Sequence, residues 1–345
     1  MCFVVYTFCA ILDNHDLKCW GYNVYGALGY GDTNNRGDAA NEMGNYLKAV
    51  DLGSDRYALL AAPGYQHTCA ILDDSSVKCW GYNGHGNLGL GHTTQLGDGA
   101  GEMGDSLPTV DVGSSRYAVS IGASHYHTCV LLDDGSIKCW GYNAHGQLGL
   151  GDTANRGDAA YEMGNFLLPV DLGTDRYAIG LTVNNHYSNC ALLDDYSIKC
   201  WGYNGHGNLG YGDTNNRGDA ANEMGDNLPV VDVGTGRYAV ALYAGGYHFC
   251  VLLDNDTIKC WGYNAHGQLG QGDTNNRGDA ANEMGDNLAA IDLGSGFDVV
   301  DSCGSDVTIS ETVLYDETST LYSCSNQDLM GAYHTCFMSS TGSLR

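Results

Sequence analysis

Proline, basic residues and long apolar runs are all scarce in this sequence. Its 345 residues include 4 prolines against 50 glycines, which predicts many tight turns and excludes proline-rich linkers. Lysine and arginine number 15 against 41 acidic residues, and the formal net charge of −26 opposes nucleic acid and anionic membrane surfaces. No run of about 18 apolar residues is present to span a bilayer. We therefore expect no nucleic-acid partner and no membrane insertion.

Helix-forming blocks and a secretory leader are also missing. No segment is dominated by Ala, Glu, Lys and Leu, the composition typical of long helices. The first five residues, Met-Cys-Phe-Val-Val, lack the basic and cleavage regions of a signal peptide. We therefore expect the numbering to begin inside a longer or processed precursor.

An internal repeat organises the chain. All five tryptophans occur in the string Cys-Trp-Gly-Tyr-Asn, and successive copies stand 60, 60, 61 and 60 residues apart. They are Trp20, Trp80, Trp140, Trp201 and Trp261. With 43% hydrophobic residues, a sizeable core can form by packing each unit on its neighbours. Self-similarity this regular predicts a repeat architecture.

Each unit closes with a predicted β-hairpin. Residues 128–132 and 136–140 are β-rich runs that flank Asp-Asp-Gly, a strong turn signal. Pairing about Asp134 places Cys129 opposite Cys139 and Leu131 opposite Ile137. Four short strands per unit, separated by turn residues, describe a propeller blade. The predicted fold class is all-β, a single β-propeller of four-stranded blades.

The repeat resembles a known family. The string WG-x-N-x-x-G-x-LG-x-GD, followed by a valine-rich segment and a Cys-containing hairpin, is similar to the regulator of chromosome condensation repeat over nearly the whole chain. That resemblance implies seven blades, with six closed blades or an incomplete ring as alternatives. A sixth, degenerate hairpin is predicted at 312–324, and a seventh begins at 333–338. The predicted units of one domain, 1–345, are 1–19 (partial), 20–79, 80–139, 140–200, 201–260, 261–324 (degenerate) and 325–345 (partial).

Ten of the 14 cysteines form C-x9-C pairs on the opposed strands of predicted hairpins. The pairs are Cys9/Cys19, Cys69/Cys79, Cys129/Cys139, Cys190/Cys200 and Cys250/Cys260. Directly opposed residues have Cα atoms about 4.5–5.5 Å apart, which a disulfide tolerates. Zinc, the alternative, prefers two to four residues between paired ligands. Five disulfides imply an oxidising compartment, hence an extracellular or cell-surface location.

Four cysteines fall outside this pattern. Cys303 and Cys324 are a candidate disulfide of the sixth unit, and a bond between Cys2 and Cys336 would join the two ends of the chain. Connectivity is not readable from a sequence, so these pairings stay open.

A polar loop repeated in each unit partly matches a calcium-binding loop. Asp32, Asn34 and Asp38 supply oxygens at positions one, three and seven, with glycine at position six. The equivalent candidates are Asp152, Asp158, Asp213, Asn215, Asp219, Asp273, Asn275 and Asp279. Arginine at position five does not fit an ion site, and turn-capping hydrogen bonds explain the same residues. We predict no cofactor, with calcium as the alternative.

No constellation typical of an active site belongs to one unit alone. An active site needs one asymmetric cluster of differently tuned groups, so we predict that the protein is not an enzyme. His85, His145, His206 and His266 follow the tryptophans at a fixed offset and are expected to hydrogen-bond within their blades. Asn255 begins an Asn-Asp-Thr glycosylation sequon in the fifth hairpin turn.

The fold does not determine the function. Proteins that resemble this repeat include nucleotide exchange factors, light sensors, β-lactamase inhibitors and interaction modules. The segment 31–44 recurs unchanged at 212–225 and 272–285, which suits multivalent attachment or stacking. The leading hypothesis is an extracellular, self-associating structural scaffold, such as a component of a surface fibre. The alternatives are a module that binds protein or carbohydrate through one aromatic-rich face, and an intracellular nucleotide exchange factor.

Overall fold

The computed structural model describes residues 7–294 and two short strands at 330–331 and 334–335. Antiparallel sheets repeat along the chain, and we call each one a blade. Blade 1 contains β1 (Thr7–Ile11) and β2 (Leu17–Gly21), and blade 2 contains β3 (Ala58–Pro63), β4 (His67–Leu72) and β5 (Val77–Gly81). Blade 3 contains β6 (Ala118–Ala123), β7 (His127–Leu132) and β8 (Ile137–Gly141). Blade 4 contains β9 (Ala178–Val183), β10 (Ser188–Leu193) and β11 (Ile198–Gly202), and blade 5 contains β12 (Ala239–Ala244), β13 (His248–Leu253) and β14 (Ile258–Gly262).

Short elements complete the list. Strands β15 (Met330–Gly331) and β16 (His334–Thr335) pair with each other. One 3-10 turn follows the last strand of each blade, at Gly44–Tyr46, Gly104–Ser106, Gly164–Phe166, Gly225–Asn227 and Gly285–Asn287. Within the described residues no helix has the length and apolar character needed to cross a bilayer.

The blades are arranged about a common axis. In blades 2 to 5 the second strand pairs with both the first and the third. The first strands β3, β6, β9 and β12 contact one another in succession, so they lie innermost. The structure is therefore the predicted all-β propeller. The predicted sixth and seventh hairpins lie largely outside the described residues, as do Cys2, Cys303, Cys324 and Cys336.

The predicted fourth strand of each blade is reduced to an extended segment with one ladder hydrogen bond. The Val110 N–H donates to the carbonyl of Val77 at 2.8 Å, and the same bond recurs from Val50, Val170, Val231 and Ile291. The carbonyl of Leu52 in the segment of the first unit instead accepts from the ammonium of Lys78, in the next blade, at 2.9 Å. Because the segment is shared between two blades, it cannot continue as a strand of either one.

The predicted hairpin register is confirmed. Cys129 pairs with Cys139, and Leu131 pairs with Ile137. Gly135 occupies the left-handed region with φ 76° and its N–H donates to the carbonyl of Leu132 at 2.9 Å. This geometry closes the turn that Asp-Asp-Gly indicates.

Five disulfides join the hairpins, Cys9–Cys19, Cys69–Cys79, Cys129–Cys139, Cys190–Cys200 and Cys250–Cys260. Their Cα atoms lie 4.0 to 4.1 Å apart, closer than expected. Opposed residues that exchange no backbone hydrogen bonds approach most closely. Cys19 fits this geometry, because its N–H and carbonyl both bond the Tyr30 hydroxyl, on the side away from Cys9.

The tryptophans pack between blades, as the repeat suggests. Trp80, Trp140, Trp201 and Trp261 are fully buried. Each indole N–H donates to a carbonyl of the preceding unit, at 2.9 to 3.1 Å. The acceptors are Ala27, Asn87, Gln147 and Asn208. Each blade is thus bonded to its predecessor by the same contact.

Candidate functional site

One face of the propeller carries a continuous array of aromatic side chains. It lies at the end of the blades where the second strands begin and the third strands end, and we call it the belt face. Tyr142 directly follows β8, and Tyr126 directly precedes β7. The Tyr142 N–H donates to the Tyr126 carbonyl at 2.8 Å, which holds both tyrosines of blade 3 side by side. Blades 4 and 5 repeat this bond between Tyr203 and Tyr187 and between Tyr263 and Tyr247.

A histidine from each preceding blade packs among these tyrosines. The His85 ring lies 5.9 Å from Tyr82, 5.2 Å from Tyr126 and 4.8 Å from Tyr142, measured between ring centroids. His145 and His206 are placed in the same way one and two blades further on. We call these groups cluster 1 (Tyr82, His85, Tyr126, Tyr142), cluster 2 (Tyr142, His145, Tyr187, Tyr203) and cluster 3 (Tyr203, His206, Tyr247, Tyr263). Since Tyr142 and Tyr203 each belong to two clusters, the array is unbroken from blade 2 to blade 5.

Six side chains of the clusters are half-buried and uncharged at neutral pH, namely His85, His145, His206, Tyr82, Tyr126 and Tyr203. Burial lowers the pKa of His85, His145 and His206 below the ordinary value, although Asp158, Asp219 and Asp279 each oppose the shift at one histidine. Burial also raises the pKa of Tyr82, Tyr126 and Tyr203. The clusters therefore present neutral imidazoles and neutral phenols to solvent.

The predicted hydrogen bonds of the repeated histidines are made by their backbones. The His85 N–H donates to Asn87 Oδ1 at 3.2 Å, and the His145 N–H donates to Gln147 Oε1 at 2.9 Å. Within the part of the chain that the structure describes, the ring nitrogens of His85, His145 and His206 have no hydrogen-bonding partner. Their rings contact tyrosines of the next blade instead.

A second row of rings lies nearer the axis. His125 is 4.0 Å from Tyr65 and 5.1 Å from His186, which stacks on Tyr247 at 3.9 Å between ring centroids. His125 and His186 are 6% and 3% exposed. Burial lowers the pKa of His125 to about 4 and that of His186 to about 3. These histidines extend the belt toward the axis as buried, neutral side chains.

The calcium candidates lie in loops whose oxygens bond to the chain itself. Asp32 accepts from Arg36 at 2.6 Å and from the Asn34 N–H at 2.9 Å. The same ion pair joins Asp152 to Arg156, Asp213 to Arg217 and Asp273 to Arg277. The backbone N–H groups of Asn215 and Asn275 donate to Asp213 and Asp273, as that of Asn34 donates to Asp32. The second aspartate of each loop accepts from the side chain of the asparagine three residues earlier. These aspartates are Asp38, Asp158, Asp219 and Asp279. Among residues 7–294 no group of three or more His, Cys, Asp or Glu side chains is placed to hold a metal ion.

Asn255 lies in the exposed turn between β13 and β14. Its Oδ1 accepts from the Thr257 hydroxyl at 2.7 Å and from the Thr257 N–H at 3.4 Å. Glycosylation at this residue stays a prediction.

The unit at 140–200 differs from the other units by an exposed apolar patch. Tyr161, Phe166 and Leu168 are 81%, 68% and 69% exposed, and the two rings meet edge to face at 5.7 Å. Tyr161 has φ 67°, at a position where the other units have asparagine or glycine with φ between 64° and 83°. A bulky residue in this region is strained relative to either of those. The string Tyr-Glu-Met-Gly-Asn-Phe-Leu-Leu at 161–168 is the sequence signal for this patch.

Comparison with known families identifies the repeat itself. The family described as the regulator of chromosome condensation (RCC1) repeat matches residues 59–87, 118–147 and 239–268. Each match runs from the first strand of a blade through the string that follows its tryptophan.

Full-length comparisons find relatives of diverse function. The chain is 26% identical over 270 residues to the ultraviolet-B receptor UVR8 of Arabidopsis thaliana, covering 78% of this chain and 53% of that protein. It is 27% identical over 264 residues to the mitochondrial RCC1 domain-containing protein RUG3 of the same plant, covering 76% and 53%. It is 29% identical over 225 residues to the probable E3 ubiquitin-protein ligase HERC4 of Rattus norvegicus, covering 65% and 19%. The chain thus spans about half the length of the first two relatives.

Solved structures share the fold at low identity. Human WBSCR16 superposes with a TM-score of 0.60 at 18% identity, covering 86% of this chain and 67% of that one. Yeast RCC1 (Prp20), solved in complex with Kap60, superposes with a TM-score of 0.59 at 15% identity, covering 86% and 61%. The chain therefore contains repeats that match the RCC1 repeat family, in a propeller fold whose first five hairpins each carry a disulfide.

Proposed function

We propose that the protein is a non-catalytic binding module that contacts an extracellular protein or glycan partner through the belt face. The observation that carries the proposal is the unbroken Tyr–His array across four successive blades. Tyrosine is enriched at recognition surfaces because it contributes a large, rigid, amphipathic contact area. A chemical step would need one asymmetric group of side chains, whereas the belt repeats the same group three times.

An oxidising location is part of the proposal. The ten cysteines of the described hairpins are all disulfide-bonded, and such bonds persist outside the cell or in secretory compartments. Relatives such as the mitochondrial RUG3 are intracellular, so the proposed extracellular location rests on the disulfides of this chain and not on its family.

An array of glycans and peptides tests the proposal. Wild-type protein is expected to bind at least one class of ligand, and the double variant Y142A/Y203A is expected to lose that signal because it opens all three clusters. Tyr117 provides the matched control, since it is 44% exposed and its carbonyl accepts from Asp133, in the hairpin turn at the opposite end of the blade. A signal that Y117A and Y142A/Y203A reduce equally, or no signal at all, would contradict a binding role for the belt.

Self-assembly into a scaffold is the second candidate, and the patch of Tyr161, Phe166 and Leu168 favours it. Exposed apolar groups of this size mark association surfaces on soluble proteins. The identical loops at 31–44, 212–225 and 272–285 would present repeated contacts in such an assembly.

Sedimentation velocity at micromolar concentration distinguishes this second candidate. Wild-type protein is expected to associate, and the variant Y161N/F166N, which introduces the asparagines of the units at 201–260 and 261–324, is expected to be monomeric. Its thermal stability should be unchanged or slightly higher, because asparagine adopts the left-handed conformation with less strain than tyrosine. A wild-type chain that stays monomeric, or a variant that assembles equally well, would argue against the scaffold.

A further inference from the structure

The three clusters carry negative charge as well as aromatic rings. Asp158, Asp219 and Asp279 lie beside the glycine that follows each cluster histidine. At Gly86, Gly146 and Gly207, an added Cβ would stand 2.4, 2.2 and 2.2 Å from the backbone nitrogen of the respective aspartate. Each aspartate also acts electrostatically on the histidine of its cluster. The backbone of one aspartate therefore packs against the loop of each cluster histidine, and its carboxylate is near enough to act on that imidazole.

These carboxylates are not neutralised by the chain. The arginine of each loop pairs with its first aspartate, as Arg156 does with Asp152, and not with the aspartate beside the cluster. Within the described residues no lysine, arginine or histidine nitrogen lies within 4.0 Å of Asp158, Asp219 or Asp279. Burial and the neighbouring Asp158 raise the pKa of Glu162, and burial and Asp279 raise the pKa of Glu283. Two adjacent carboxyl groups thus stand beside clusters 1 and 3 without a cationic partner.

Building on the binding role proposed above, we propose that each Tyr–His cluster receives a lysine or arginine side chain, and that the belt as a whole binds a basic peptide segment. Tyrosine faces attract cations through the ring quadrupole. A neutral imidazole with a ring nitrogen that has no protein partner accepts a hydrogen bond from an ammonium or guanidinium group. The aspartate supplies the countercharge.

Charge complementarity selects this occupant over the alternatives. The chain carries a formal net charge of −26, which steers a cationic segment toward it over long range. A neutral sugar would pack on the tyrosines and donate hydroxyl hydrogen bonds to the carboxylates, but it would leave their negative charge uncompensated. A bare divalent cation requires more oxygen ligands than the described residues bring together. Because the clusters recur once per blade, a segment with several basic residues engages them simultaneously and gains avidity.

Binding of deca-arginine and deca-lysine, measured by fluorescence anisotropy, tests the proposal. Deca-glutamate and chitohexaose serve as the anionic and neutral probes. We expect both cationic peptides to bind and the two controls not to bind. Y142A/Y203A leaves every charge in place, so it separates recognition by the clusters from attraction to an acidic surface. It is expected to weaken binding about tenfold, whereas Y142F/Y203F, which keeps the ring faces, should stay within about threefold of wild type.

A charge-matched pair of variants tests the carboxylates. D158N/D219N/D279N removes three charges at the clusters, and D13N/D55N/D175N removes three charges from exposed turns elsewhere. We expect the first to weaken binding about tenfold and the second to have little effect. Near-ultraviolet circular dichroism checks that each variant is folded.

The outcomes separate this inference from the proposed function. Equal losses in both triple variants would show that deca-arginine responds only to net charge, and the inference would be wrong. Belt-dependent binding of chitohexaose without binding of the peptides would overturn the basic partner and leave the binding module standing. Peptide binding unaffected by Y142A/Y203A, with no belt-dependent ligand on the array, would overturn both.

Discussion

Reduction of the five described disulfides is expected to unfold the protein near room temperature. Each bond closes a loop with a sequence separation of 10 residues, for which the entropic model gives about 2–3 kcal/mol. Five such contributions amount to about 10 kcal/mol or more, comparable with the whole free energy of unfolding of an ordinary domain. The loss of near-ultraviolet circular dichroism in a series of thiol redox buffers measures this effect.

Removing the disulfide of one hairpin measures the contribution of a single bond to the free energy of unfolding. The double variant C129A/C139A removes one bond between fully buried residues and is expected to lower the free energy of unfolding by about 2–3 kcal/mol. Treatment with a thiol-alkylating reagent without reductant, which leaves the bonded pairs intact, should change nothing. A fully reduced protein that melts within a few degrees of the oxidised form would contradict both the stabilising role of the bonds and the oxidising location inferred from them.

Acidification is expected to destabilise the protein steeply between about pH 6.5 and pH 4. Burial lowers the pKa of His67 and His186 to about 3, and that of His125 and His127 to about 4. In the unfolded chain these groups take up protons near their ordinary pKa of about 6.5. Since the unfolded state then binds more protons than the folded state, stability is full above pH 6.5 and is lost as the pH falls. Each histidine contributes about 1.4 kcal/mol per pH unit within its window.

The slope of the free energy of unfolding against pH separates the protonation of buried histidines from other effects of a substitution on stability. His127 donates from Nε2 to Asn189 Oδ1 at 2.9 Å, and its Nδ1 has no partner within the described residues. H127Q should reduce the number of protons taken up on unfolding by about one near pH 5 and by about half a proton at pH 6.5, whatever it does to stability at pH 8. Denaturant titrations at a series of pH values measure both, and a wild-type uptake below one proton would contradict the assignment.

Local pairing in this chain was predictable from the sequence, and long-range packing was not. The turn signal Asp-Asp-Gly and the alternation around it determine the register of Cys129 with Cys139, because both strands lie within a dozen residues of each other. The reduced fourth strand was not predictable. Its carbonyls bond a lysine such as Lys78 of the next blade, so its conformation depends on a neighbour far away in sequence.

The belt escaped prediction for the same reason. Tyr82 and Tyr142 each look like a residue of the repeat consensus, and His85 looks like a histidine with a local role. Their meeting requires the turn before β7 to bring Tyr126 across from the adjacent blade. The recurrence of tyrosine two residues after every tryptophan was the available signal. It would have been informative only together with knowledge of which ends of the blades share a face.

The bonds that tryptophan and lysine side chains make between blades are the same at each junction, so these bonds do not specify the order of the blades. Trp80 and Trp261 donate to equivalent carbonyls, and Lys78 and Lys259 bond equivalent pairs of carbonyls in the preceding segment and the following turn. A blade consequently has no chemical means of distinguishing its true neighbour from an equivalent blade of a second molecule. The chain between consecutive blades, and contacts that differ from one junction to the next such as His127–Asn189, impose their sequence around the axis. Exchange of an equivalent blade between two molecules preserves the tryptophan and lysine bonds, and domain swapping is the characteristic misassembly of a propeller built from such similar parts.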